Sequence, residues 1–156
     1  MSTTKKIVPL TATITTTNGT AYAAADNIGG KLKLKPASGT IIPTGGFGRI
    51  RAILLADKGK QDSSVDINFY SSDPSATTFT NDAAQVIHDD DIAKIQHVEN
   101  LTTYDDYSAN SVAGAVSLDT LVTFTDALYC SLISRGTPTY TSTTDLILTV
   151  LLEVEL

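Results

Sequence analysis

The 156-residue chain has no tryptophan, 1 methionine and 1 cysteine. With Cys130 alone, no internal disulfide can form, which excludes the small stapled scaffolds of secreted proteins. Charged residues make up 18% of the chain, well below the usual share of about a quarter. No segment approaches the eighteen or so consecutive apolar residues of a membrane-spanning helix. The start, Met1 to Thr11, carries Lys5 and Lys6 but is too short and too polar for a secretion signal, so synthesis in a reducing cytoplasm is expected. Lysine and arginine number 11 against 17 aspartate and glutamate, a formal net charge of -6. That balance disfavours nucleic acid and membrane surfaces as partners.

Threonine, serine and alanine fill the gap. Threonine in such numbers favours strands, because its branched Cβ suits a pleated sheet and its hydroxyl keeps an outer face wet without a full charge. The clearest single signal lies at residues 146–156, where Leu146, Leu148, Val150, Leu152, Val154 and Leu156 place an apolar side chain at every even position. A period of two over that length belongs to a strand with one buried face.

Weaker versions of the pattern recur along the chain. Residues 6–15 alternate Val8, Leu10, Ala12 and Ile14 with a mainly threonine set, and Pro9 predicts an edge strand or a bulge there. Further strands are expected at 20–23, at 31–35 with Leu32 and Leu34 inward, at 50–56, at 65–71, at 98–103, at 121–124 and at 128–134. Within 50–56 both parities are apolar at Ile53-Leu54-Leu55, which predicts burial on two sides, between sheets or under a neighbouring subunit. The glycine- and proline-rich stretch 36–46 reads as a loop and 104–117 as a polar excursion. Around residues 82–95 the period changes and allows one or two short helical turns. The expected fold is all-β, an antiparallel β-sandwich of jelly-roll type, with residues 1–8 as an extended amino-terminal arm and 9–156 as a single domain.

The chemical inventory is sparse. His88 precedes Asp89-Asp90-Asp91 and His97 is followed by Glu99, residue types that bind divalent metals, but in a spacing that matches no recognised site. A solvated acidic helix start is the simpler reading. Tyr104-Asp105-Asp106-Tyr107 reads as an exposed loop, and adjacent carboxylates there do not define the separation that glycoside hydrolysis needs. Gly45-Gly46-Phe47-Gly48 lacks the lysine and hydroxyl residue of a phosphate loop and precedes a strand. Cys130, in an apolar strand, reads as a small buried hydrophobe. No catalytic residue, metal or cofactor is expected, and no enzyme activity.

Four segments, in this order, resemble a family of small virion structural proteins of tailed bacteriophages. They are Ala21 to Gly30 (AYAAADNIGG), Asp57-Lys58 with Gln61, Phe69 to Pro74 (FYSSDP) and Ser134 to Ser142 (SRGTPTYTS). The likeness spans about Thr11 to Val154. It implies a capsid decoration, or cement, protein on the outer surface of the shell, with the major capsid protein and further copies of itself, as a dimer or trimer, as partners. A tail, neck or fibre-associated component is the alternative reading. A carbohydrate- or metal-binding module using Tyr104 to Tyr107 or His88 to Asp91 is the second. The residues expected at a partner contact are Lys5, Lys6, Phe47, Arg49, Arg135 and Tyr140. The cations cluster early in the chain and the acids mostly later, which also permits contact between oppositely charged surfaces of neighbouring copies.

Overall fold

The computed structural model describes residues 3–36 and 42–156. Over these the chain forms β1 (Lys5–Ile14), β2 (Asn27–Leu34), β3 (Phe47–Asp57), β4 (Val65–Tyr70), α1 (Asp89–Ile92), β5 (Ile95–Leu101), β6 (Tyr104–Asp106), β7 (Ser111–Ala115), β8 (Thr120–Thr123), β9 (Leu128–Ser134) and β10 (Leu146–Glu155). One sheet has the order β1-β10-β3-β7-β6 with β8 also on β3, and the other has the order β2-β9-β4-β5. All neighbouring pairs are antiparallel. The inward residues of both sheets, among them Leu10, Ile53, Leu148 and Val150 from the first and Leu34, Ile67, Phe69 and Leu132 from the second, form a single apolar cluster. The protein is an all-β antiparallel sandwich.

The pairing is nested. β1 pairs with β10, β2 with β9, β3 with β7 and β8, and β4 with β5. β10 lies inside its sheet, between β1 and β3: alternate residues along it, from Leu146 to Val154, are buried, and a strand with neighbours on both sides makes the most of that face. β1 lies at the sheet edge, as Pro9 predicts. Thr4 and Leu156 exchange both N–H···O bonds, at 3.2 and 3.0 Å, so the even-numbered residues of β1 bond to β10 and the odd-numbered ones turn their nitrogens toward the edge. Pro9 is odd-numbered, and its missing N–H removes no ladder bond.

Several sequence expectations are corrected. The arm expected over residues 1–8 is part of the sheet from Lys5 onward, with Lys5 to Val8 opposite Glu155 to Leu152; Met1 and Ser2 lie outside the described residues, as do residues 37–41 of the expected loop. Backbone pairing governs here, since an alternating apolar partner strand extends the ladder at little entropic cost. The short strand expected at 20–23 is reduced to one bridge between Ala21 and Thr139, because Tyr22 turns inward instead of alternating with its neighbours. The excursion 104–117 contains β6 and β7, whose small residues, Ala113, Gly114 and Ala115, gave no apolar signal. The helical content around 82–95 is the single turn α1, and β5 begins at Ile95, three residues before the expected strand.

Residues 71–94 lie across the outer face of the second sheet. Phe79 packs edge-on against Tyr70 with ring centroids 6.1 Å apart, and Phe79 and Ile95 close over Tyr70, Ala127 and Tyr129. The segment is pinned by Asp91, whose carboxylate accepts from the Thr77 N–H at 2.6 Å and from Lys94 Nζ at 2.7 Å. Enclosure alone would raise the Asp91 pKa, yet Lys94 and Thr77 hold it below the ordinary carboxylate value. Every residue of β9 is therefore buried, with core on one side and this segment on the other.

Candidate interaction surfaces

Three of the six expected contact residues meet at one end of the first sheet. Phe47 opens β3 and is 59% exposed. Lys5, Arg49 and Glu153–Glu155 line a shallow groove beside it. Arg49 sits opposite Leu121 of β8, and Ile7 sits opposite Glu153 of β10; both apolar side chains are about half exposed. The charges here are compensated within the chain. Arg51 makes a bidentate contact with Glu153 at 3.0 to 3.1 Å and also binds Asp119, Arg49 lies 3.2 Å from Asp119, and Lys5 lies 3.4 Å from Glu153. Lys6, opposite Val154, is exposed. The Glu153 carboxyl is held below its ordinary pKa by Arg51 and Lys5, against the opposing effect of its burial.

Several cations elsewhere are paired in the same way: Lys31 with Asp73, Lys33 with Asp126, Lys60 with Asp106 and Arg135 with Asp66. The separation of early cations from later acids is thus a separation along the chain and not in space. Antiparallel wrapping brings the two halves side by side, and the charges pair within one molecule.

The opposite end of the sandwich gathers three of the four segments that carry the family resemblance. Tyr22 N–H donates to the Pro138 carbonyl, Gly19 N–H to that of Tyr140, Ala25 N–H to that of Ser134, and Ser134 N–H back to Asp26. The side-chain Oε1 of Gln61 accepts from Thr139 N–H at 3.0 Å. Asp57 Oδ2 accepts from the N–H groups of Gln61 and Asp62, closing the turn after β3. Tyr22 and Tyr140 meet edge to face beneath these loops, with centroids 6.1 Å apart. Tyr140 is therefore corrected as a surface contact: it is 1% exposed, because a large ring at the mouth of the sandwich is what seals the core there. Arg135 is exposed but lies at this end, away from Lys5, Phe47 and Arg49.

Several of the residues considered for metal or sugar binding are spent on structure. His88 caps α1, its Nδ1 accepting from Asp90 N–H at 3.1 Å. His97 stacks on Phe69 and lies 2.9 Å from Glu99. Tyr104 turns inward and donates to the Ser63 carbonyl, leaving Tyr107 exposed without its partner ring. Among the described residues, no three acidic, histidine or cysteine side chains come together to hold a metal ion. Cys130 is buried, as expected, and burial pushes its thiol pKa well up. A cavity of about 260 Å³ in the 71–94 segment is lined by alanines, Val86, threonines and His88.

The remaining surface is one that sequence reading only touched. The registers of β1, β10, β3 and β7 place Pro9, Thr11 and Thr13, then Ile147, Thr149 and Leu151, then Ala52, Leu54 and Ala56, then Val112 and Gly114 on the outer face of the first sheet. No described segment crosses that face. Leu54, the outward-facing residue in the doubly apolar run of β3, lies at its centre opposite Thr149. The available signal was the apolar residues among the odd positions of β10, Ile147 and Leu151, masked by the stronger even-numbered set. No family model matches this chain, and no curated protein matches it.

Proposed function

We propose that this chain is a non-enzymatic structural protein of a tailed-bacteriophage particle, a decoration protein seated on the major capsid protein at the exterior of the virion. The observation that carries this reading is the ordered set of segments resembling that family, three of which interlock as the loop cluster at one end of the sandwich. The physical character of the chain supports it. Thr4 and Leu156, near the two ends of the described residues, are tied to each other by backbone bonds. One core spans both sheets, and the conspicuous titratable groups are engaged in caps and ion pairs. Such a block acts by contact, and a symmetric shell multiplies weak contacts into firm attachment. The nested strand order favours the jelly-roll form of sandwich, in which a long antiparallel ribbon wraps over itself.

Shells carrying the protein are expected to resist heat or chaotrope better than shells without it. Equal resistance, together with no binding of purified protein to shells, would remove the reading. Copy number separates it from a tail or neck component: hundreds of copies per particle by quantitative mass spectrometry indicate shell, and a few dozen or fewer indicate tail.

A further inference from the structure

We infer that the outer face of the first sheet is a self-association surface, on which a second copy of this chain packs face to face. The inference deepens the expectation, implied by the family resemblance, that further copies of the chain are partners, but it is measured on the isolated protein and does not depend on shell binding.

The two outer faces of the sandwich differ in kind. That of the second sheet lies under residues 71–94, with Tyr70 and Tyr129 buried beneath Phe79. That of the first is crossed by no described segment, yet its centre has the composition of a covered face: Leu54, Ala56, Val112, Ile147 and Leu151 around Thr149, without a charged residue among them. A sheet face that meets only water normally alternates toward charged or strongly polar side chains. Contiguous apolar area of this kind marks a contact site.

Charge and size select the occupant. The chain carries a formal net charge of -6, so two copies repel over most of their surfaces and approach most easily where charge is lacking. A two-fold contact sets each patch against itself, which penalises a patch of one sign and costs an uncharged one nothing. The charges at the rim, Arg49, Arg51, Glu153 and Asp119, already neutralise one another within the chain, so the face calls for no strongly charged partner. Four strands spaced about 4.8 Å apart and some eight residues long offer roughly 500 Å² of flat sheet per copy. Ile7, Phe47 and Leu121 extend it at one end. This lies below the ~800 Å² per partner of a standard stable interface, which fits a modest, concentration-dependent dimer. Sheets stacked face to face at about 10 Å are an ordinary packing mode.

Sedimentation equilibrium of the full chain between about 1 and 200 μM tests the inference. The expected result is a concentration-dependent rise toward twice the monomer mass, with Thr149→Lys weakening association by at least ~10-fold because it places two ammonium groups near the dyad. Thr11→Lys, on an exposed position of the edge strand and away from the centre, is expected to weaken it less. Dichroism and melting curves accompany each variant, and Leu151→Lys substitutes for Thr149→Lys if the latter fails to fold. A wild-type chain that stays monomeric throughout overturns the inference, as does a dimer unaffected by both central lysines. A monomer that binds shells and loses that binding with Thr149→Lys also overturns it and assigns the face to the shell.

Discussion

Asp57 is fully enclosed at the end of β3, with one carboxylate oxygen closing the turn to Gln61 and Asp62 and the other without a partner among the described residues. Burial pushes its pKa up, the two N–H groups pulling partly back. A carboxyl whose folded pKa exceeds its unfolded value leaves stability intact below the unfolded value. It costs stability as pH rises toward and through the folded one. Asp57→Asn removes the charge and keeps an acceptor oxygen for the turn. Its melting temperature relative to wild type is therefore expected to rise as pH increases from about 4 toward neutrality, by the equivalent of ~1–2 kcal/mol; an offset identical at every pH would contradict the assignment. Tyr140 poses a related question, since its hydroxyl is buried without a described partner while its ring contacts Tyr22. Tyr140→Phe is expected to change unfolding free energy by less than ~1 kcal/mol and Tyr140→Ala to cost ~3–5 kcal/mol in urea titrations.

At the scale of elements, the bulge in β2 between Ile28 and Lys31 depends on Gly29. Its φ is +80°, and a Cβ there would lie 2.3 Å from Ile14 Cγ2, so a methyl group meets both backbone strain and a packed β-branched neighbour. Gly19 has a similar φ of +77° but open space around it. Gly29→Ala is expected to cost more than ~2 kcal/mol, and Gly19→Ala about 1 kcal/mol from the backbone alone. Equal costs would mean that the bulge relaxes freely. The reading of elements from sequence succeeded where one face is strongly apolar, as in β10, β9 and β3. It failed at β6, which is only Tyr104-Asp105-Asp106, at β7, which is short and built mostly of small residues, and at the arm, because a residue's affinity for a neighbouring strand is not written in its own side chain.

At the scale of the molecule, both sheets contribute to one apolar cluster with no second core large enough to fold apart. Leu148, at the middle of β10 and fully buried, is expected to report on the whole: Leu148→Ala should lower stability by ~2–5 kcal/mol while leaving a single transition by dichroism and fluorescence alike. Two separated transitions would show that the sheets melt independently. Of the expected contact residues, Lys5, Phe47 and Arg49 come together although 42 residues separate the first two in sequence, because β10 lies between β1 and β3. Arg135 was legible as exposed but not as lying at the other end. Tyr140 was misread, because an aromatic residue in a polar loop has the same local sequence whether it points out or seals the core.

The sequence by itself determined that this is a strand-rich chain without a disulfide, with a β10 of one buried face, a proline on an edge strand and a buried cysteine. Those properties are local: a period of two, a missing N–H and a count of thiols need no neighbours to be read. Only the tertiary structure decided which face no described segment covers, which cations are neutralised and which aromatic rings are inside. Those are properties of pairs of residues far apart in sequence, fixed by the nested antiparallel registers and by the 71–94 segment lying over one sheet and not the other.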